Sequence, residues 1–518
     1  MEYSQRSLTN LLIDGKHSFN GSNWDITWKV SPTISSISDP DARFVRYVTD
    51  NGDFRINTES GFPERIWREL SEINLIGLAH ISKEFTFREE KARLNFGSSY
   101  GYKERDFMIR KFMFNIRNVP LSGDPDELFR SENLWPLDGI HYTSGTTYEA
   151  GFIPVNPNKF NATSRNIAGY VSTELSLFKG LRAIAGVRLE KYTQFYTGQN
   201  QIGTIILDNE KVLDDLGVFP SLNLIYSLSA SQNLRLSYAK TIARPSFKEL
   251  SFAEIVDAIS GRTFVGGMFR DADDVSGREY WDGNLVSSDI HNLDLRWELF
   301  RKSGQMVSLS GFYKYFIKPI EIVQYASQTG TFQPRNVGDG QVLGAEVEFR
   351  QELGEISKVL ENISITSNIS VTKSRIELSL TEYYSRIENS RTGETVDNYR
   401  EMAGQAPWII NSGISYTGTT GFWSGFEAGI YYNVQGKTLQ YVGIADRPDI
   451  YTLPFHSLNF TTGKTFGKEK RMQIGIKIDN ILNDKKESVF KSFNPTDQFF
   501  TKLEPGITYH LRLSYALF

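Results

Sequence analysis

Cysteine is absent from all 518 residues, which removes disulfide staples and thiolate metal sites and weakly suits an oxidising compartment. Histidine is scarce: six are scattered at 17, 80, 141, 291, 456 and 510, with no His-Glu-x-x-His or comparable ligand spacing. No glycine-rich phosphate loop follows a strand and opens a helix, and no nucleophile–base arrangement stands out. Catalysis, a cofactor and a resident metal are therefore not expected. An excess of one charge is missing too, because 57 Lys and Arg stand against 61 Asp and Glu for a net −4. That balance is too mild to argue for nucleic acid as a partner. Mean hydropathy is −0.35, and no window approaches the ~20 consecutive apolar residues of a membrane helix. The opening Met-Glu-Tyr-Ser-Gln-Arg has no basic, apolar and small-residue order of a secretory signal. No Pro-rich, Gly/Ser-rich or single-charge linker divides the chain.

Alternation fills the space these absences leave. In the closing stretch Ile507, Tyr509, Leu511, Leu513, Tyr515 and Leu517 fall on one face of a strand, and Thr508, His510, Arg512 and Ser514 on the other. Met472, Ile474, Ile476 and Ile478 alternate with Gln473, Gly475, Lys477 and Asp479. Leu293 to Leu299, Leu343 to Phe349, Ile363 to Val371, Trp408 to Tyr416 and Phe426 to Val434 behave alike, as do shorter runs back to Trp24. Soluble strands average about five or six residues, whereas these patterns run nearer ten, the length that crosses a bilayer as a tilted strand. A one-residue slip of the Met472 run would place Lys477 in lipid at roughly 2–4 kcal/mol. Aromatic content of 13 %, with 25 Tyr and 35 Phe, suits interfacial girdles.

The connections alternate as well. Short polar turns such as Lys179-Gly180, Thr419-Thr420-Gly421 and Lys468-Glu469-Lys470-Arg471 close one end, and long segments near 117–159, 245–289 and 374–405 occupy the other. The fold expected is all-β, a transmembrane antiparallel up-and-down barrel with about 17 strands present. The short turns pair strands one with two, three with four and onward, leaving the last unpaired. The first strand, near Gln5 to Phe19, would then start outside the cell, so part of the barrel is expected upstream.

Several segments resemble the barrel of TonB-dependent outer-membrane receptors. Leu234-Arg-Leu-Ser-Tyr-Ala-Lys-Thr-Ile-Ala-Arg-Pro-Ser-Phe-Lys-Glu-Leu250 is similar to a strand-and-loop signature of that family, and Gly186-Val-Arg-Leu-Glu190 and Phe219-Pro-Ser-Leu-Asn-Leu224 to the strands before it. Phe312-Tyr-Lys-Tyr-Phe-Ile-Lys-Pro-Ile320, Gly344-Ala-Glu-Val-Glu348 and Asp479-Asn-Ile-Leu-Asn-Asp-Lys485 follow in the family's order, from about Gly186 to Phe518. Gly404-Gln-Ala-Pro-Trp408 and Arg447-Pro-Asp-Ile-Tyr451 resemble the subset with a carboxypeptidase-regulatory-like module ahead of the plug. The resemblance implies a barrel of about 22 strands around an N-terminal plug, with signal, plug and the first strands missing from residues 1–518. It also implies a Gram-negative outer-membrane location with a periplasmic C-terminus and lipid around the wall. It further implies a small-molecule or oligomeric nutrient ligand, energy from TonB–ExbB–ExbD, and a surface lipoprotein as a further partner. A porin-like diffusion barrel and an outer-membrane structural or adhesion protein stand as alternatives.

Long loops are where such a receptor meets its ligand. Trp135, Tyr142 and Tyr148 lie in one with His141 and Phe152, and Tyr280 and Trp281 in another with Phe264 and Phe269. Aromatics at a mouth stack on flat or sugar-like ligands, although packing the loops together or sitting at the membrane interface is the favoured reading of them. An acidic run, Asp271-Ala-Asp-Asp274, lacks the spacing of a Ca²⁺ loop and reads as a solvated turn. Arg296, Glu346, Glu348, Lys477 and Arg512 are expected to face the lumen, forming ion pairs or lining a path.

Overall fold

The structure, a computed structural model, describes residues 3–19, 21–50, 52–58, 62–119, 123–134, 145–150, 155–257, 262–269, 283, 285–325, 328–467 and 471–516. Its wall is one antiparallel sheet in chain order. The first wall strand, β1, is broken into Gln5–Asn10 and Ile13–Phe19, both paired to β2 (Trp24–Phe44). There follow β3 (Glu64–Phe87), β4 (Glu90–Arg117), β5 (Lys159–Phe178), β6 (Leu181–Gln199), β7 (Ile206–Ser229) and β8 (Gln232–Ala243). The sheet continues through β9 (Ser288–Phe300), β10 (Met306–Ile317), β11 (Gly340–Glu352), β12 (Ile363–Glu377) and β13 (Trp408–Thr417). It ends with β14 (Phe426–Gln435), β15 (Ser457–Phe466), β16 (Met472–Asp479) and β17 (Thr508–Tyr515). Counting the broken first strand once and leaving aside the short additions Gly145–Ala150 and Tyr399–Arg400, the wall has seventeen strands among the described residues. Among the described residues no ladder joins β1 to β17.

Odd strands connect to even ones mostly through short polar turns, the ten residues 353–362 being the longest, and even strands to odd ones mostly through longer segments, 200–205 being the shortest, so one end of the wall is trimmed and the other is built up. Strands β2 to β7 reach 19 to 28 residues, two to three times the ~9–11 needed to cross lipid. Because the short turns fix their lower ends, the surplus stands beyond the long-loop end. Strands β8 to β17 have 8 to 15 residues each.

Register puts the apolar residues in lateral rows. Leu236 lies opposite Leu295, and Tyr238 opposite Leu293, which in turn faces Tyr313 and then Leu343. Leu309, Val347 and Ile369 form the next such row. These side chains stand open, up to 71 % exposed at Tyr509 and 70 % at Leu511. In water a continuous sheet of this kind would be a large uncovered apolar patch, whereas in lipid it is solvated. The opposite face is polar and cross-linked. Arg235 donates to Glu298, Arg296 to Glu298 and Glu348, and Ser370 to Glu346.

The built-up end has its own core. Phe107, Phe160 and Tyr196 on the tall strands pack against Phe247, Phe252 and Ile255 of the segment after β8. Two small sheets cap the rest: residues 254–256, 263–265, 331–336 and 320–324 in one, and 438–441, 449–452, 486–491 and 498–503 in the other. An aromatic knot of Phe332 with Phe264, Tyr441, Phe490 and Phe500 joins them. No helix among the described residues is long and apolar enough to cross a membrane, which says nothing of crossing by strands.

Candidate functional site: a loop cleft and the inner wall

At the built-up end three connecting segments meet around a cleft of about 410 Å³. The one between β12 and β13 carries the helix α1 (Leu380–Glu388), which Ser379 caps by accepting a hydrogen bond from the Glu382 amide. Placing Glu382 at the third helical position after a serine is a sequence-legible helix start, missed in the reading of residues 374–405 as loop. The helix turns Glu382 and Ser385 inward. Ser385 Oγ accepts from the Ala445 amide, fastening the helix to the segment after β14.

Five charges lock the junction. Arg386 reaches both Asp449 oxygens at 2.9 and 3.1 Å and Glu382 at 3.1 Å. Arg400 forks onto Glu382 at 2.6 and 3.3 Å and contacts Glu321, from the segment after β10, at 2.7 Å. Glu321 also accepts from the Ala403 amide at 2.7 Å. The Arg400 and Glu321 side chains are 8 % and 2 % exposed. Burial pushes the Glu321 carboxyl up, against the opposing pull of Arg400. Burial also raises Asp449, but the Arg386 charge and the hydrogen bonds that Asp449 accepts from Arg386 and from the Gly443 amide outweigh it, so the net direction is down. For Arg400, burial is outweighed by Glu321 and Glu382, which hold the guanidinium charged. Three carboxylates and two guanidiniums taken out of water make a rigid frame rather than a reactive one.

The frame forms the back of the cleft through Arg386, Arg400 and Asp449, and Arg391, Glu394, Asp397, Asp446 and Lys491 bring charges of both signs to its rim. Tyr399 lines it, 43 % exposed, with the Arg375 guanidinium 4.3 Å from its ring centre. The cleft can therefore hydrogen-bond and stack a polar ligand. No group of three or more His, Asp or Glu side chains among the described residues is placed to hold a metal.

Most of the ligand-contacting aromatics expected from sequence fall outside the described residues. Trp135, Tyr142, Tyr280 and Trp281, with His141, Phe152 and the acidic run 271–274, lie outside the described residues. Tyr148 is in a short strand, Gly145–Ala150, opposite Phe114. Phe264 packs within the aromatic knot, and Phe269 against Tyr325. Of the charges expected to line the lumen, Arg296, Glu346 and Glu348 share the polar face and its network. Lys477 pairs with Asp479 at 2.9 Å, and Arg512 stands opposite Gly475 on the same face. The cleft and its frame had no sequence signal beyond the helix cap, since their parts come from four distant segments.

A family model described as "TonB dependent receptor-like, beta-barrel" matches residues 3–481. The chain belongs to that family. Among solved structures, the siderophore receptor PiuA from Acinetobacter baumannii is similar at a TM-score of 0.62 and 14 % identity, covering 99 % of this chain and 65 % of that one. The ferric-catecholate import receptor Fiu from K12 E. coli gives 0.59 and 12 %, covering 99 % and 64 %. The unliganded ferric citrate transporter FecA gives 0.60 and 12 %, covering 99 % and 62 %. At such identities the likeness concerns the fold alone. The chain spans about three fifths of the length of these receptors. No curated protein matches it.

Proposed function

We propose that this chain forms the wall and outer loops of an outer-membrane receptor that captures a scarce nutrient outside the cell and imports it with force delivered by TonB–ExbB–ExbD. The observation that carries the reading is the division of the wall. A lipid-compatible face of open Leu, Ile and Tyr runs along its lower part, and all the cross-linked loops gather at one end. In this reading the long-loop end is extracellular, the short turns and the C-terminus are periplasmic, and the loop cleft is the first ligand contact. The reading also makes the 518 residues part of a longer polypeptide with a plug and further strands. The free edges of β1 and β17 would otherwise leave backbone N–H and C=O groups unpaired in lipid, at several kcal/mol per group. The subset with a carboxypeptidase-regulatory-like module and a surface lipoprotein partner belong to the same proposal, and the nutrient is left at the level of a polar small molecule or oligomer.

The test is ligand uptake by cells carrying the intact gene, with and without TonB. Uptake that needs both supports the proposal. Uptake independent of TonB, or no transport defect on deletion, overturns it in favour of a diffusion barrel or a structural role. An antibody to residues 495–518 on purified outer membranes adds the mass: a band well above 59.0 kDa is expected.

A further inference from the structure

At the short-turn end the outer face of the wall carries an aromatic corner with a cation inside it. Residues 418–425 join β13 to β14 through one 3-10 turn, Gly421–Trp423. The Gly418 amide donates to the Phe426 carbonyl at 2.8 Å, and the Gly425 amide to the Gly418 carbonyl at 3.1 Å. A Cβ on Gly418 would run into the Trp423 carbonyl oxygen, and Gly425 sits at φ +73°, so the loop closes this tightly only with glycine at both places. What the loop holds out is aromatic. Phe422 is 78 % exposed and Trp423 50 %. The Trp423 ring packs edge-on against Phe422, Tyr416 and Phe426, with 5.6, 6.3 and 5.2 Å between ring centres.

The cation is Lys464 of β15. It stands opposite Phe426 on one side and Ile474 on the other, and Ile474 stands opposite Leu513. Lys464 therefore shares the lipid-facing row, in which Leu513 is 68 % exposed. Its ammonium lies 3.7 Å from the centre of the Phe422 ring and donates to the Phe422 carbonyl at 2.7 Å. It forms no ion pair among the described residues. A cation at the bilayer centre is costly, but Lys464 is two residues from the end of its strand, at the depth of the headgroups. The ammonium keeps further N–H donors beyond the one on the carbonyl. The Trp423 indole N–H and the Tyr416 hydroxyl make no hydrogen bond among the described residues.

We infer that this corner is a headgroup site for an anionic glycerophospholipid of the inner leaflet, its phosphate accepting from the Lys464 ammonium and the Trp423 indole. Phosphate oxygens accept charge-assisted hydrogen bonds, and here donors and a positive charge converge with no acid in the cluster. Tryptophan and tyrosine suit this depth because one part of each ring is apolar and another polar. An anionic headgroup fits better than a zwitterionic one, since the lysine charge is uncompensated and no side chain of the corner can pair an ethanolamine ammonium. Snorkelling alone would point a lysine toward water without choosing a headgroup, whereas this ammonium is fixed over Phe422. The inference rests on the proposed function only in placing the short turns on the periplasmic side, where the outer membrane presents glycerophospholipid.

The test uses the intact receptor purified from outer membranes in detergent, with heat-modifiable mobility as the check of folding for each variant. Phosphatidylglycerol, phosphatidylethanolamine, diacylglycerol and lipid A are titrated, and the tightest binding step is read by native mass spectrometry. Phosphatidylglycerol should bind about threefold more tightly than phosphatidylethanolamine and about tenfold more tightly than diacylglycerol. Lys464→Gln should weaken phosphatidylglycerol about fivefold, as expected for one cation at a charged membrane surface. Lys464→Arg should bind within about twofold of the parent, because the charge is kept. Lys373→Gln removes a charge from the same outer face, opposite Leu343 near the long-loop end, and should bind as the parent does. Equal binding by Lys464→Gln, no preference for phosphatidylglycerol over diacylglycerol, or tighter binding of lipid A that Lys464→Gln also weakens overturns the inference. TonB-dependent uptake is read in a separate assay that none of these results moves, so the two readings fail separately.

Discussion

Replacing Arg400 by Met tests whether the outer loops are a frame or a loose fringe. Arg400 holds two carboxylates that share almost no water: Glu382 through a fork at 2.6 and 3.3 Å, and Glu321 at 2.7 Å, with the arginine 8 % and Glu321 2 % exposed. The variant leaves both acids buried without this partner, and Arg386 compensates only Glu382. Removing one member of a buried pair costs about 3–5 kcal/mol. Since ~1.4 kcal/mol is tenfold, local opening should become roughly 10² to 4 × 10³ times more populated if the loops open as a unit. Hydrogen exchange with mass readout on residues 318–339, 378–407 and 436–456 should speed up by that range, with the β9–β12 wall unchanged. Adding Glu321→Gln and Glu382→Gln should recover most of the protection, because the stranded charges are gone. Exchange in Arg400→Met within about threefold of the parent would refute the frame, since it would mean that the network is already hydrated.

Four further outcomes follow from named contacts. Glu321 has its pKa raised in the fold, so its contribution is present at acid pH and declines as pH rises through the raised value; Glu321→Gln should lessen the loosening of residues 318–325 seen by exchange between about pH 5 and 8, corrected for intrinsic rates. Asp449 is shifted down, so its share is present at neutral pH and lost on acidification; Asp449→Asn should flatten the acid limb of the same measurement. On β17, Leu511→Lys should cost about 2–4 kcal/mol in a bilayer-folding titration, whereas Arg512→Ala on the other face should cost under about 1 kcal/mol. Gly413→Ala should displace the Tyr431 ring, whose Cδ1 lies 2.6 Å from the new Cβ position, and cost about 1–3 kcal/mol in a bilayer-folding titration while the barrel still folds, as read by heat-modifiable mobility.

The sequence alone determined the wall. Alternation at period two identifies a strand and its two faces without reference to any partner, as in Met472 to Ile478, and the short polar turns set which strand pairs with the next. Nearest-neighbour pairing then leaves little freedom, so seventeen strands in chain order follow from local pattern. The Ser379-x-x-Glu382 start of α1 was equally local and could have been read.

Only the tertiary structure decided the loops and the sites. Glu321, Glu382, Arg400 and Asp449 are unremarkable polar residues until three segments fold together; even the supporting bond from Gln324 to the Pro448 carbonyl spans 124 positions. The aromatic knot is similar: Phe264 and Phe332 had no periodicity to mark them as core, and what buried them was the approach of Tyr441 and Phe500 from other hairpins. The lie of the Tyr431 ring on the inner wall likewise needs Gly413 from the neighbouring strand. Local pattern fixes which face a side chain takes, because the pleat is a backbone property. Which side chains then share that face depends on register across strands, and only the folded wall sets that.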